Sequence, residues 1–248
     1  KPSLNSKGRI MKTIIHKAAT RGHANHGWLN SYHTFSFAGY HDADRIHFGA
    51  LRVLNDDTVA GGMGFGAHPH DNMEIISIPL EGDLEHADSM GNKTVIRNGD
   101  IQAMSAGTGV THSEYNANTD KPVKFLQIWV FPDRKNIQPQ YSQVTLQAAD
   151  RKNKLQQIVS PRSNGNDGVT IQQNAWFSLG DIEQGKQLSY NIKRKENGVY
   201  VFVLNGEVTI EDQKLNTRDG LGIWETDTIS VTAGSNAEIL LMDVPMDI

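Results

Sequence analysis

The chain has 248 residues, a formal net charge of −4, 38% hydrophobic residues and no cysteine. The missing cysteine excludes disulfides, thiolate metal sites and cysteine nucleophiles together, and a mildly acidic balance without a lysine or arginine run excludes an electrostatic grip on nucleic acid. No stretch of about 18 apolar residues could span a bilayer and no apolar signal-peptide core stands near the N-terminus, so the expected setting is cytoplasmic, with a small molecule or a protein as partner.

Taken in chain order, residues Lys1 to Ile10 are polar and patternless and precede Met11, and they read as an expression remnant. From there to the C-terminus, short runs rich in valine, isoleucine and aromatics alternate with glycine, asparagine and aspartate turns, which predicts an all-β sandwich or barrel. Five aromatics fall between Trp28 and Tyr40. Trp28, Phe35 and Phe37 among them are candidates to line a pocket for a flat ligand, with a plain core role as the alternative. His23, His26 and His33 in the same segment read as histidines hydrogen-bonded within a loop, with a place at the border of the barrel mouth as the alternative, and His16, His41, His47 and His86 carry no distinctive spacing. The glycines from Gly61 to Gly66 lack the following lysine and helix of a phosphate loop. Strand-length runs follow at Glu74 to Leu80 and Lys124 to Val130. The pattern then breaks between Pro132 and Gln147, where Asp133-Arg134-Lys135-Asn136 and Pro139 offer no apolar face. Two domains are therefore expected, 11–134 and 148–248, joined by a linker at 135–147.

A weak internal repeat supports two copies of one unit. Ile78-Pro79-Leu80-Glu81-Gly82 resembles Phe202-Val203-Leu204-Asn205-Gly206, and Asn98-Gly99-Asp100 has a counterpart in Asp219-Gly220. The first offset places Ile192 and Arg194 where His68 and His70 stand in the first copy. The second copy would then carry no metal ligands.

All ten histidines precede residue 113. Two clusters stand out, His68-Pro69-His70 and His112-Ser113-Glu114, because residues two apart on a strand project from the same face and can address one point. Imidazole nitrogens with a carboxylate oxygen suit first-row ions such as iron, zinc, copper and nickel. Glu74 competes with Glu114 for the oxygen position, since it also lies an even number of residues from His70. Asp71 and Asn72 are candidates either to orient an imidazole or to form a turn.

The arrangement Gly62, His68, His70, Glu74, Gly82, followed by Gly99, Gly109, His112 and Asn116, resembles the two signatures of the cupin superfamily. It departs from them at Ser105, where proline is usual, and in about two extra residues before His112. The stretches His23-Ala24-Asn25-His26-Gly27-Trp28-Leu29, His33-Thr34-Phe35-Ser36-Phe37, Gly64 to His70 and Met104 to Asn116 are more specific and resemble the pirins, most strongly over Arg21 to Pro132. That resemblance implies a two-domain cupin (bicupin) of tandem β-barrels, with His68, His70, His112 and Glu114 as metal ligands in the first. It implies a divalent metal, Fe(II) foremost, with Zn, Cu, Co, Ni and Mn as alternatives. Bacterial pirins close to this pattern are similar to quercetinases, so the implied activity is flavonol ring opening by dioxygen with loss of carbon monoxide. A small planar aromatic substrate would then be the partner and Glu114 the catalytic base. The competing implication is a non-enzymatic redox sensor or transcription cofactor that acts through protein partners.

Overall fold

The computed structural model describes residues 4, 8, 10–164 and 167–248, so the segment read as an expression remnant lies largely outside the described residues. Strands dominate, joined by turns and short 3-10 helices. β1 (Lys12–His16), β2 (Gly22–Asn25) and β3 (Leu29–His33) precede a first run: β4 (Leu51–Val59), β5 (Gly64–His70), β6 (Glu74–Glu81), β7 (Leu84–Asp88), β8 (Lys93–Ile96), β9 (Asp100–Ser105), β10 (Val110–Asn116) and β11 (Val123–Val130). β12 (Gln140–Thr145), β13 (Leu155–Pro161) and β14 (Val169–Ile171) come next. The second run is β15 (Trp176–Ile182), β16 (Gln187–Asn191), β17 (Asn197–Asn205), β18 (Val208–Ile210), β19 (Gln213–Leu215), β20 (Gly220–Trp224), β21 (Thr228–Ala233) and β22 (Ala237–Pro245).

The two runs share one plan. In the first, a large sheet contains the order β9-β6-β11-β4 and a small sheet the order β5-β10-β7-β8. In the second, the corresponding orders are β20-β17-β22-β15 and β16-β21-β18-β19. Even an irregularity recurs: the pairing of β6 with β11 shifts where Glu81 and Pro79 face Lys124 and Phe125, and that of β17 with β22 shifts where Asn205 and Val203 face Glu238 and Ile239. The glycines that close these strands, Gly82 and Gly206, have φ of +77° and +84°, a left-handed conformation that side-chain-bearing residues rarely adopt. The repeat expected from the sequence is thus present strand for strand, as a bicupin requires.

The expected division at 135–147 is crossed in both directions. β1 leaves the first unit and pairs with β20 of the second, Lys12 opposite Trp224 through His16 opposite Gly220. The segment expected to be a linker contains β12, which pairs with β9 of the first barrel. Both large sheets offer an unpaired edge at these positions, and an added strand satisfies its backbone groups.

Strand alternation assigns the faces. On β6 and β11, Ile76, Ile78, Leu126, Ile128 and Val130 join Tyr200, Phe202, Leu240, Met242 and Val244 of β17 and β22 in one buried cluster between the barrels. Ile75, Ser77, Phe125, Gln127 and Trp129 alternate with them along β6 and β11 and point into the first barrel. Because both faces of the large sheets are buried, these strands read as nearly continuous apolar runs rather than as alternating ones.

Candidate metal centre

β5 and β10 run antiparallel with His68 opposite His112 and His70 opposite Val110. A bulge between His112 and Glu114 shifts the register so that Glu114 faces Phe65. The two strands approach so closely there that a Cβ on Gly64 would stand 2.3 Å from the Glu114 carbonyl oxygen, which only glycine permits. The rings of His68, His70 and His112 meet edge to face with centroids 4.4 to 4.8 Å apart. The Nε2 atoms of His70 and His112 are 3.0 Å apart. Two nitrogens bound at right angles to one ion, each at ~2.1 Å, would stand about 3.0 Å apart.

The electrostatics keep His70 and His112 neutral, the form that binds metal. Burial, reinforced by the neighbouring histidines, pulls His112 down to about 3, and burial with the His68 charge pulls His70 down to about 4. His68 places Nδ1 2.7 Å from the Gly66 carbonyl oxygen, a contact that puts the proton on Nδ1 and frees Nε2 as a ligand. Three converging imidazole nitrogens of this kind fit a divalent first-row ion.

Glu114 is fully buried and lines the same cavity as His68 and His70. Its Oε1 lies 3.5 Å from His112 Nδ1, and the Gln127 amide donates to both of its oxygens at 3.0 and 2.9 Å. Burial and the charge of Asp57 push Glu114 up to about 8, against the donation from Gln127. The competing carboxylate, Glu74, shares the face of Ile76 and Ile78 and turns toward the second barrel. There it accepts from the Ser105 hydroxyl at 2.5 Å and from the Gln172 backbone N–H at 2.6 Å.

Several residues carry more than their sequence spacing showed. His86 belongs with His112 and Glu114 to a second group whose ligand atoms lie within 4.8 Å of one another, and its Nε2 is 2.6 Å from Asp88 Oδ2. Between Glu85 and Ala87 on β7, it carried no sequence signal. Gln127 and Trp129 come from β11, whose continuous apolar reading hid the inward face. Asp71 and Asn72 do not orient an imidazole: Asn72 sits at φ +46°, receives the Asn136 backbone N–H on Oδ1 at 2.7 Å and donates its own N–H to the Gly107 carbonyl. This is the turn role.

The cavity beside the histidines has a volume of about 400 Å³. Trp28, Phe37, Phe65 and Trp129 supply its aromatic walls, and His26 and His33 also reach it. The aromatic segment from Trp28 to Tyr40 therefore divides. Trp28 and Phe37 line the cavity, whereas Phe35 packs between the barrels beside His16 and Tyr200. His23 stacks on Tyr32 and pairs with Asn30 across the β2–β3 ladder, so it sits on a strand and not in the loop expected for it.

The carboxyl-terminal barrel offers no such cluster among its described residues. Asn116 pairs with the first residue of β7 and Ala233 with the first residue of β18, so Glu114 corresponds to Val231 and His112 to Ile229. Opposite Ile229 stands Tyr190, as His68 stands opposite His112. The expected counterparts, Ile192 and Arg194, are therefore corrected to Tyr190 and Ile192. The connection from β16 to β17 is longer than that from β5 to β6, which leaves the strand register unchanged while moving the sequence offset.

A family model described as pirin matches residues 15–130, and one described as the quercetinase C-terminal cupin domain matches residues 157–244. Quercetin 2,3-dioxygenase of Escherichia coli (strain K12) is 44% identical over 236 residues, which cover 93% of this chain and 98% of that protein. The chain belongs to the pirin family. A pirin-like protein of Caulobacter vibrioides is 37% identical over 90% of this chain and 95% of its own length. Among solved structures, the bacterial pirin YhhW of Escherichia coli in complex with nickel(II) matches with a TM-score of 0.88 at 42% identity, over 94% of this chain and 99% of that one.

Proposed function

We propose that the protein is a metal-dependent quercetin 2,3-dioxygenase that opens the central ring of a flavonol with dioxygen and releases carbon monoxide, with His68, His70, His112 and Glu114 holding a divalent ion. The observation that carries the reading is the convergence of three imidazoles on one end of an aromatic-walled cavity of about 400 Å³, a size and lining suited to a planar ligand. The quercetin 2,3-dioxygenase relative at 44% identity supplies the substrate class. Fe(II) is the ion we expect, since nitrogen and oxygen ligands with open positions suit it. The nickel-bound relative supports a divalent ion in this fold.

A divalent ion bound here would supply Lewis acidity toward a substrate hydroxyl and the electronic access to dioxygen that organic groups alone lack. The chain's own residues do the rest. Trp28, Phe37, Phe65 and Trp129 hold a flat ring system and exclude water from it. Glu114 receives the 3-hydroxyl proton on its carboxylate, and Gln127 fixes the orientation of both carboxylate oxygens beforehand. Trp129 packs edge to face on His70 at 5.2 Å and limits the ring's rotation.

The test is oxygen uptake with quercetin by iron-loaded protein, with carbon monoxide monitored and a metal-stripped control alongside. Metal-dependent uptake with carbon monoxide release is the expected result. No uptake by a sample shown to contain one ion per chain would overturn the enzymatic reading.

A further inference from the structure

Next to the proposed metal ligands, one wall of the cavity carries a polar tile that the chemistry above does not use. β3 and β4 pair with Ser31 opposite Asp57 and His33 opposite Asn55. All four side chains are buried, at 2 to 4% exposure, and all four line the cavity. Serine, histidine and aspartate together bring a hydrolytic triad to mind, but the order is wrong for one. The Ser31 hydroxyl stands in the middle, donating to Asp57 and lying 2.9 Å from His33 Nε2, whereas a nucleophilic serine needs the histidine between itself and the carboxylate.

That order determines what the tile presents. With its proton given to Asp57, the Ser31 oxygen accepts from His33 Nε2–H, which leaves His33 Nδ1 a bare acceptor. His33 Nδ1 and Asn55 Oδ1 are both buried without a hydrogen-bond partner among the described residues. Buried acceptors left unpaired are costly and call for a donor. Two acceptors on directly opposed residues stand about 5 Å apart at their Cβ atoms, a span that hydroxyls on one aromatic ring can bridge.

The tile also has a defined place relative to the ligands. Asn55 pairs across the sheet with Gln127, and Gln127 holds Glu114. His33 is thus two strand spacings, roughly 10 Å, from Gln127, about the length of a two- or three-ring molecule. We infer that His33 and Asn55 form a hydroxyl-recognition subsite that selects phenolic substrates carrying O–H donors on the ring remote from the oxygens bound at the histidine cluster. The inference rests on the proposed flavonol reading and names the part of the substrate that the cavity distinguishes. It predicts preference for a polyhydroxylated flavonol over the bare skeleton, which an aromatic pocket alone would not give.

The test is equilibrium binding to nickel-loaded protein without oxygen, followed by quenching of tryptophan fluorescence. Quercetin is compared with 3-hydroxyflavone, the same skeleton with only the hydroxyl destined for the proposed metal pole. Wild-type protein should bind quercetin about tenfold more tightly. In His33→Phe and Asn55→Leu, which keep the volume and remove the acceptors, the ratio of the two dissociation constants should fall toward one. An unchanged ratio in both variants, or a wild-type ratio near one, overturns the subsite while leaving the dioxygenase reading intact. Absence of binding by either flavonol to folded, metal-loaded wild type overturns both. If a variant fails to fold, judged by its melting transition, the wild-type ratio decides by itself.

Discussion

Across the inner face of the large sheet, the strands β4, β11, β6 and β9 of the first barrel present Asn55, Gln127, Ser77 and Gln102 in one cross-strand row. The equivalent strands of the second barrel, β15, β22, β17 and β20, present Ser178, Leu241, Val201 and Leu221. The facing small sheets differ in the same sense, with His68, His112 and Glu114 against Tyr190, Ile229 and Val231. The consequence is visible in the packing. Valines, isoleucines and leucines fill the second barrel as one continuous cluster. In the first barrel the apolar residues separate into one group around Phe125 and Leu84 and another around Ile75 and Met104. One strand plan therefore tolerates either a dry core or a buried polar belt beside a cavity. The belt carries a desolvation cost that the first barrel alone would bear, and the apolar cluster shared between the barrels offsets it.

The largest expected effect comes from exchanging matched positions. His112→Ala should lower bound metal to below about a tenth of the wild-type level and abolish oxygen uptake, because two of the three nitrogens cannot hold the ion alone. Ile229→Ala at the equivalent place in the second barrel should leave metal content unchanged and cost about 2–5 kcal/mol of stability through the cavity it opens. Metal analysis with denaturant unfolding separates the two, and equal metal loss in both variants would dissolve the contrast between the barrels. Glu114→Gln keeps size and a ligand oxygen but removes basicity. Turnover should fall at least about 100-fold with metal retained, and unchanged turnover by the metal-loaded variant would refute its role as base.

A sharper comparison converts the first barrel toward the second. Glu114→Val with Gln127→Leu removes both partners of a buried pair and installs the residues of Val231 and Leu241. The metal-free protein should become more stable by about 1–4 kcal/mol, read as a higher denaturant midpoint; a lower midpoint would mean that the pair supports the fold. The smallest effect concerns pH. Burial pushes Asp57 up to about 7. A carboxyl raised in the folded state favours folding below its unfolded value of ~3.9 and loses that contribution as pH rises through about 7. The melting temperature of metal-free protein should therefore decline from pH 5 to 8, and Asp57→Asn should flatten part of that decline. Parallel curves for the two proteins would assign the pH dependence elsewhere.

Much of this architecture was legible from local pattern. Short β-rich runs between glycine turns identified an all-β chain, and the spacing of His68 with His70 and of His112 with Glu114 placed each pair on one strand face. Which of Glu74 and Glu114 shares a cavity with the histidines was not legible, because parity along one strand allows both; the opposite faces they occupy depend on which sheet lies behind β6. The grouping of Ser31, His33, Asn55 and Asp57 was hidden for a related reason. Each pair shows the same two-residue spacing as the histidines, but nothing local shows that β3 and β4 lie side by side.

What the sequence determined by itself is therefore what acts between neighbours: strand and turn propensities, the left-handed closure at Gly82 and Gly206, and the two-residue period that sends histidines to one face. Only the tertiary structure decided the crossing of β1 into the second barrel, the correspondence of His68 with Tyr190, and the meeting of β3, β4, β5, β10 and β11 residues around one cavity. Those outcomes come from pairing strands far apart in the chain, where register is set by burial of a whole face and by loop length, and one inserted residue in a loop moves the sequence offset without moving a contact.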